Sequence, residues 1–419
     1  MVLGFESLTR SPMVHPIGSC NLMQQTSPRS PNFYGLRIAP ALLEVLHRLR
    51  FTTPTPIQIQ AIPIAIEGKD IVGIAQTGTG KTLAFGIPML QRLSQTKTRG
   101  LVVLPTRELA LQVEESLRKL GKGLGLRTAV LIGGAAMGPQ IRELRQNPHV
   151  IVGTPGRILD HLNQRTLRLQ DARIVVLDEA DRMLDMGFLP QIQKILNVLP
   201  RERQTMLFSA TMPDEIMRIA SSYMRLPVRV EIAPTGTTVE NVTQELFIVP
   251  REQKTALLLT LLQDHKGSAL VFSRTKHGAQ KVARLIRNSG LNAAELHSNR
   301  TQGQRKEALE GFRRGKYRVL VATDIASRGI DVAGIELVVN YDLPATSEDY
   351  VHRIGRTARA GATGHAATFA MPQERREVRS IERLIRKPLP VSELPKLMRE
   401  STPQTSVGTR PRFHQRRRR

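Results

Sequence analysis

The feature that most constrains the fold is a repeated alternation of short apolar runs with longer amphipathic stretches. In the first half of the chain, runs of Val, Ile and Leu bounded by Gly, Pro, Thr or Asp occupy residues 71–75, 101–105, 129–132, 150–153, 174–178 and 205–208. Helical patterns such as 109–120 and 189–199 lie between them. Continuously apolar strands that alternate with helices are typical of a parallel sheet covered on both faces. We therefore predict an α/β fold.

The alternation stops and then restarts, which predicts two domains. The polar segment 233–243, APTGTTVENVT, interrupts it. Apolar runs resume at 245–249, 269–272, 293–296, 319–322, 336–341 and 365–370. A polar, Pro- and Gly-containing break between two such patterns is typical of an interdomain linker. The predicted organisation is a flexible leader (1–32), a first domain (33–232), a linker (233–243), a second domain (244–372) and a basic C-terminal extension (373–419).

The charge balance indicates an anionic partner. Lys and Arg total 61 against 36 Asp and Glu, a net charge of +25, which favours nucleic acid. Aromatic residues make up only 4% of the chain, so base stacking should contribute little to binding. Cys20 is the single cysteine, which excludes an intrachain disulfide framework and a cysteine-rich zinc site. Without an apolar run of about 18 residues or a signal pattern, we expect a cytoplasmic protein with no membrane partner.

Residues 75–82, AQTGTGKT, predict a phosphate-binding loop between a strand and a helix. Small residues allow the backbone N–H groups to curve around phosphates at a helix N-terminus. Lys81 would reach the β- and γ-phosphates, and the Thr82 hydroxyl would ligate Mg²⁺. Ala75 stands where Gly is usual. The remaining loop residues expected to bind the nucleotide are Gln76, Thr77, Gly78, Thr79 and Gly80.

Two acidic residues end a buried strand of the first domain. Asp178 closes the run IVVLD and Glu179 follows it. We expect Asp178 to hold Mg²⁺, directly or through water, and Glu179 to orient or activate the attacking water.

Residues 352–359 of the second domain, HRIGRTAR, contain several basic side chains that could contact a phosphate. His352, Arg353, Arg356 and Arg359 have spacings that would share one face of a helix. Guanidinium groups can stabilise the charge that develops on a transferring phosphoryl group. If these arginines complete the phosphate site formed by residues 75–82 of the first domain, hydrolysis would depend on closure of the two domains.

The ordered set of motifs then becomes specific to one family. The set is FTTPTPIQ (51–58), AQTGTGKT (75–82), PTRELA (105–110), GG (133–134), TPGR (154–157), DEAD (178–181), SAT (209–211), VFSRT (271–275), QGQR (302–305), ATDIASRGID (322–331) and HRIGRTAR (352–359). Over about residues 33–371 the chain resembles the DEAD-box ATP-dependent RNA helicases of superfamily two. The resemblance implies two tandem RecA-like domains. The ASRGIDV and TARAG segments and the short basic tail are most similar to the bacterial RhlE-type branch.

The resemblance implies an adenine site at the start of the first domain. Phe51 would stack on the base and Gln58 would hydrogen-bond its edge, while Thr55 and Phe33 would shape the pocket. Arg50 stands where the family usually has Gly, and we expect the contacts to be retained.

From the second domain, the resemblance assigns Asp331 to the ATP ribose and Arg356 and Arg359 to the γ-phosphate. Ala358 replaces a Gly common in this motif, and we expect this methyl group not to abolish activity.

The resemblance also implies an RNA groove and a coupling network. The expected RNA contacts are Thr106, Arg107, Gly133, Gly134, Thr154, Gly156 and Arg157 on one side and Arg274, Gln302, Arg305 and Thr323 on the other. The expected coupling residues are Asp181, Ser209, Thr211, Arg328 and His352. Because these residue types bind phosphate and sugar, we expect RNA binding without sequence preference.

The expected function is RNA-stimulated ATP hydrolysis, with Mg²⁺, coupled to domain closure and local, non-processive unwinding of short RNA duplexes or remodelling of ribonucleoproteins. The expected partner is single-stranded or short duplex RNA, in ribosomal or RNA-decay complexes, and the expected state is a monomer. Three alternatives stay open: an ATP-gated RNA clamp or scaffold, a DNA-directed helicase of the same superfamily, and a small-molecule nucleotide hydrolase, which would leave the +25 charge unexplained.

Overall fold

The computed structural model describes residues 32–76, 78–96, 98–232, 242–324, 334–358 and 363–395. Residues 1–31 of the leader, residues 233–241 of the linker and the end of the tail lie outside this described part.

A seven-stranded parallel sheet forms the first domain. Its order is β3-β4-β2-β5-β6-β1-β7, and each neighbouring pair is parallel. The strands are β1 (Ile71–Ile74), β2 (Arg99–Val103), β3 (Thr128–Leu131), β4 (Val150–Gly153), β5 (Ala172–Leu177), β6 (Gln204–Ser209) and β7 (Val228–Glu231).

A six-stranded parallel sheet forms the second domain, in the order β10-β11-β9-β12-β13-β8. Its strands are β8 (Val242–Ile248), β9 (Ala269–Phe272), β10 (Ala293–Leu296), β11 (Val319–Ala322), β12 (Leu337–Asn340) and β13 (Gly364–Ala370).

Helices connect the strands. In the first domain they are α1 (Pro40–Arg48), α2 (Pro56–Ile66), α3 (Lys81–Gln95), α4 (Arg107–Gly121), α5 (Met137–Arg145), α6 (Pro155–Asn163), α7 (Ala180–Asp185), α8 (Leu189–Val198) and α9 (Asp214–Tyr223). In the second domain they are α10 (Lys254–Asp264), α11 (Lys276–Asn288), α12 (Gln302–Arg313), α13 (Ser347–Ile354) and α14 (Arg375–Ile385). No helix in the described residues is long and apolar enough to cross a bilayer.

Each sheet has hydrophobic clusters on both faces, because successive residues of a strand point to opposite faces. On β1, Ile71 belongs to one cluster and Val72 to the other. On β9, Val271 and its neighbour Leu270 likewise belong to different clusters. This two-faced burial explains why the strands are continuously apolar, and it confirms the predicted α/β class.

Three details differ from the sequence-based expectation. β7 was not predicted, because VRVE alternates apolar and charged residues at a sheet edge and its Arg229 and Glu231 are exposed. β8 begins at Val242, so the last two residues of the predicted linker lie in a strand. The predicted extension from 373 begins with α14, which packs on the second domain through Val378 and Ile381.

Candidate active site

Outside the adenine site, the predicted site residues that the structure describes lie at or after strand ends. In the first domain they lie at or after the ends of β1, β2, β3, β4, β5 and β6, and in the second they follow β9, β10 and β11 or lie at or just after the end of α13. The adenine-site residues Phe33, Phe51, Thr55 and Gln58 precede β1. Ligands of open α/β sheets bind at the carboxyl ends of the strands, so this placement follows from the parallel topology.

The phosphate-binding loop is shaped by glycines and by Lys81. Gly78 and Gly80 have φ values of +89° and +88°, in the left-handed region that favours glycine. Gly80 is the N-cap of α3, so Lys81 and Thr82 are the first helical residues. Lys81 is buried, and its Nζ donates to the Ala75 carbonyl at 3.0 Å. Thr79 Oγ1 donates to the Gln76 carbonyl at 2.8 Å, and Thr77 lies outside the described residues.

Gln58 connects the start of α2 to this loop. Its Oε1 accepts from the Thr55 N–H and its Nε2 donates to the Gly80 carbonyl, each at 3.0 Å. A Cβ atom at position 80 would lie 2.4 Å from Gln58 Nε2, so the contact requires glycine there. The amide that was assigned to adenine therefore also holds the phosphate loop.

The adenine-site aromatics lie in different environments. Phe51 is 43% exposed and available to a ligand, whereas Phe33 is 4% exposed and packs in a core cluster. Phe33 can therefore support the wall of the adenine pocket from the core, but it is too buried to contact a ligand. Asp331, assigned to the ribose, lies outside the described residues.

Arg50 takes a left-handed conformation, φ +62°, where α1 ends. Its N–H donates to the His47 carbonyl and that of Phe51 donates to the Leu46 carbonyl, both at 2.9 Å, a Schellman ending. This backbone explains the family's preference for Gly at the position.

Asp178 and Glu179 are both buried at the end of β5. Burial raises the pKa of Asp178 to about 6, against the opposing charge of Lys81, and the neighbouring Glu179 carboxylate adds to the rise. Glu179 has φ +54°, and its Oε2 pairs with Arg182 Nη1 at 2.8 Å. Burial therefore disfavours the ionised Asp178 carboxylate at the end of β5, and a cation bound there would favour it.

Asp181 connects the acidic motif to the loop after β6. Its Oδ2 accepts from the N–H groups of Ala210 and Thr211 at 3.0 and 2.9 Å and from Thr211 Oγ1 at 3.1 Å. The Asp181 N–H donates to Ser209 Oγ at 3.2 Å. Burial acts to raise the pKa of Asp181, but the charges of Lys81, His352 and Arg182 outweigh it and the pKa is lowered. The structure thus joins Asp181, Ser209 and Thr211.

A basic surface lies beside the loops that follow β2, β3 and β4. A Cβ on Gly134 would meet the Arg107 guanidinium, and Arg157 Nη1 donates to the Ala135 carbonyl at 3.0 Å. Burial and the charges of Arg305 and Arg157 lower the pKa of Arg107. The other predicted contacts lie around these arginines. Thr106 and Thr154 are the N-cap residues of α4 and α6. A Cβ on Gly133 would lie 3.3 Å from Arg107 Nη2, and a Cβ on Gly156 would meet nothing within 4 Å.

In the second domain the predicted RNA residues lie on three neighbouring loops. Arg274 follows β9, where its backbone N–H donates to Asp342 Oδ2 at 3.0 Å. Gln302 begins α12, and Thr323 follows β11 with its N–H bonded to the Leu296 carbonyl.

Arg305 makes a buried ion pair between the domains. Its Nε donates to Oε1 of Glu108 at 2.9 Å, and its Nη2 lies 2.8 Å from Oε2. The side chains are 8% and 6% exposed. Arg305, predicted to bind RNA, is thus engaged by a carboxylate of the first domain.

Arg353 and Arg356 do not share one helical face as predicted. α13 ends at Ile354, so Arg356 follows the helix, and Arg359 and Arg328 lie outside the described residues. Arg353 points into its own domain: Nε and Nη2 donate to Asp324 at 2.6 and 2.8 Å, and Nη1 donates to Asn340 at 3.1 Å. His352 lies close enough to Asp181 to influence its charge, across the domains.

Sequence reasoning missed Glu108 as an interdomain residue. A glutamate in the first turn of α4 has an ordinary explanation in the helix dipole. The available signal was the motif itself, since Glu108 lies within PTRELA beside two predicted RNA residues.

The fold and the site define a two-domain, RecA-like nucleotide hydrolase with a phosphate-binding loop. The DEAD/DEAH box helicase family model matches residues 55–219, and the helicase conserved C-terminal domain matches residues 253–361. The chain belongs to the DEAD-box ATP-dependent RNA helicases, which are ATP-hydrolysing enzymes.

The sequence is similar to those of curated relatives over most of their length. The chain is 45% identical over 369 residues to the DEAD-box ATP-dependent RNA helicase CshA of Bacillus licheniformis, covering 87% of this chain and 76% of the relative. It is 44% identical over 363 residues to the ATP-dependent rRNA helicase RRP3 of Debaryomyces hansenii, covering 86% and 76%.

Solved structures share both domains. S. cerevisiae Dbp5 bound to RNA and ADP BeF3 aligns with a TM-score of 0.77 at 30% identity, covering 86% of this chain and 95% of that one. Mss116p bound to ssRNA and AMP-PNP aligns with a TM-score of 0.78 at 27% identity, covering 86% and 78%. A DEAD box protein from Methanococcus jannaschii is 37% identical but aligns with a TM-score of 0.51, covering 86% and 99%.

Proposed function

We propose that this helicase couples ATP hydrolysis to closure of its two domains on RNA, and that closure separates short duplexes locally without long translocation. The observation that carries the proposal is the buried Glu108–Arg305 ion pair. A charge buried between the domains without its partner would be costly, so the pair restricts closure to an arrangement in which Glu108 meets Arg305.

The structural comparisons support the same arrangement. Higher TM-scores to the two RNA- and nucleotide-bound proteins than to the M. jannaschii protein, despite lower sequence identity, are expected if the domains are arranged as in the bound relatives. RNA and ATP would then stabilise a state in which predicted contacts from both domains meet.

In the ATP site, Lys81 would bind the β- and γ-phosphates and Glu179 would orient the attacking water. Arg356 and Arg359 would approach the γ-phosphate from the second domain. Phe51 and Gln58 would select adenine.

Asp178 and Thr82 fit Mg²⁺. Burial is the main cause of the raised pKa of Asp178, and a divalent cation beside the carboxylate would favour its ionised form. No cluster of three metal-ligating side chains exists in the described residues, and Mg²⁺ is commonly held by one or two carboxylates together with substrate phosphates. When bound, the ion would offset charge on the phosphates.

RNA binding would use the basic surface around Arg107 and Arg157 together with Arg274, Gln302 and Thr323. These groups suit phosphate and sugar, so the groove would accept any sequence. A strand held in a groove that a duplex cannot follow would lose a few base pairs locally. Loss of the γ-phosphate would release Arg356 and Arg359, and the domains would reopen.

The test compares ATP turnover with and without single-stranded RNA, in the unsubstituted chain and in Glu179→Gln. RNA should raise turnover, and Glu179→Gln should lower it by 10²- to 10⁴-fold while retaining RNA in the presence of ATP, because positioned general bases contribute about that much. Glu115→Gln, an exposed glutamate of α4, is the control. Equal turnover with and without RNA would contradict the coupling; RNA binding without hydrolysis would favour a clamp, and stimulation by DNA alone a DNA-directed helicase.

Within the family we propose the RhlE-type branch, supported by the segments at 326–332 and 357–361 and the short basic tail; grouping with the CshA relatives in a full phylogeny would contradict it. We also propose a cytoplasmic monomer acting on ribosomal or RNA-decay complexes. Crosslinking in cells with sequencing of the bound RNA tests the substrates, and light scattering tests the monomer.

A further inference from the structure

The last helix of the second domain has one apolar and one basic face. Val378 and Ile381 of α14 are buried in a cluster with Leu246 and Tyr350. The chain then returns to the sheet, where the Leu246 N–H donates to the Pro390 carbonyl at 2.8 Å. α14 is therefore a fixed part of the domain.

Four arginines share the exposed side of α14. Arg375, Arg376, Arg379 and Arg383 are all exposed. With 3.6 residues per turn they fall within an arc of about 100°, and Arg375 and Arg383 are separated by about 12 Å along the axis. We define these four residues as the α14 arginine face.

Carboxylates do not neutralise this face. In the described part of the chain, none of the four arginines forms an ion pair; Arg383 donates only to the Arg379 carbonyl and to Ser380 Oγ. The glutamates of the helix lie outside the arc: Glu377 is on the far side, and Glu382 accepts from the Leu389 N–H at 2.9 Å. Arg386 and Lys387 add two exposed charges just after the helix.

The α14 arginine face begins beside the proposed RNA groove. Glu374, the residue before α14, contacts Arg274, with Oε1 and Nη2 3.4 Å apart. A strand leaving the groove at Arg274 would meet the arginines of α14 next, since the helix starts one residue from that contact.

We propose that the α14 arginine face is a second RNA-backbone site, which extends the groove and binds phosphates of single-stranded RNA flanking the segment held by the core. The proposal rests on the proposed function for the position of the groove. Rows of arginines without base-reading partners bind phosphates irrespective of sequence. The face thus lengthens the RNA footprint without adding sequence preference.

The experiment measures the salt dependence of RNA affinity in the full chain carrying Arg375→Gln, Arg379→Gln and Arg383→Gln. Two RNAs are compared: the shortest oligonucleotide that saturates ATP hydrolysis, and one about ten nucleotides longer at each end. Each lost phosphate contact lowers the salt slope by about 0.7, so the slope for the long RNA should fall by about 2. Affinity for the long RNA at low salt should fall at least tenfold, and affinity for the short RNA should be unchanged.

A matched control removes the same charge elsewhere in the second domain, through Lys281→Gln, Arg284→Gln and Arg314→Gln at exposed positions. It should change affinity for the long RNA less than twofold. Equal slopes for the two triple variants, or an equal loss with short and long RNA, would overturn the proposal. Failure of the proposed function is distinguishable, because it would appear as absent RNA stimulation in the unsubstituted chain.

Discussion

Two buried arginine–carboxylate pairs with similar chemistry connect different parts of this helicase. Arg353 and Asp324 join α13 to the segment that follows β11 in the second domain, with donor–acceptor distances of 2.6 and 2.8 Å. Arg305 and Glu108 join the two domains, at 2.9 and 2.8 Å. Because both arginines are buried and bidentate, geometry alone does not distinguish them. Their sequence separation does: 29 residues in one pair and 197 in the other. The first pair should therefore support the fold, and the second should support the arrangement of the domains.

The largest predicted effect concerns the pair within the domain. Arg353→Met leaves Asp324 and Asn340 without their donor, and removing one partner of a buried pair costs about 3–5 kcal/mol. The free energy of unfolding of the second domain, measured in urea, should fall by that amount. Asp324→Leu combined with Arg353→Met should recover part of the loss. An unchanged unfolding curve for Arg353→Met would show that the pair does not support the fold.

The next prediction concerns Asp178, a carboxylate whose ionised form is disfavoured by burial. Its pKa in the folded chain is about 6 against a reference of 3.8, so between these pH values the folded state binds more protons than the unfolded state. Stability should therefore fall as the pH rises through that range, by about 3 kcal/mol in the absence of nucleotide and Mg²⁺.

Asp178→Asn removes the free-energy cost of ionising this buried carboxylate. Without ligands it should stabilise the chain by up to about 3 kcal/mol at pH 7, a gain that disappears near pH 4, although ATP hydrolysis is lost. Asp181→Asn is the matched comparison: the pKa of Asp181 is lowered and its carboxylate accepts four hydrogen bonds from Ala210, Thr211 and Arg182, so the change should destabilise at pH 7. Urea unfolding at both pH values measures the difference, and destabilisation by Asp178→Asn at pH 7 would contradict it.

The interdomain pair Glu108–Arg305 should differ from the Arg353–Asp324 pair and from Asp178, because its loss should affect RNA binding and not folding stability. Glu108→Gln should weaken RNA binding in the presence of a non-hydrolysable ATP analogue by 10- to 100-fold, since truncating one member of a buried interfacial pair costs about 2 kcal/mol or more. The urea midpoint should not change, because each domain keeps its own core. Arg305→Gln should show the same loss, and the double variant should lose little more.

Glu143→Gln, an exposed glutamate of α5, is the control. Domain closure is followed by fluorescence transfer between labels on the two domains. If Glu108→Gln lowered the urea midpoint as Arg353→Met is expected to do, the distinction between the two pairs would be wrong.

The parts of the molecule that were predictable are those set by local pattern. The predicted apolar runs became strands, and parallel topology then brought the loops after them to one edge of each sheet. Pairings between distant residues were not predictable. Glu108 resembles an ordinary first-turn glutamate, and Arg353 cannot be told from Arg356 by spacing. Only the fold shows that Arg353 contacts Asp324, that Arg305 reaches Glu108, and that α13 ends before Arg356.

The smallest predicted effect concerns backbone conformation beside these arginines. Ala358 has φ +53°, a left-handed conformation that disfavours any residue with a Cβ, so the preference for glycine there reflects the backbone and not the space for a methyl group. Ala358→Gly relieves about 1–2 kcal/mol of strain and costs about 0.5–1 kcal/mol of unfolded-state entropy, so it should stabilise the second domain by less than about 1 kcal/mol. Ala41→Gly, at an exposed position within α1, should destabilise slightly instead. Urea unfolding of both variants tests the sign, and a loss of stability in Ala358→Gly would mean that packing of the Ala358 methyl group against its cluster outweighs the backbone strain.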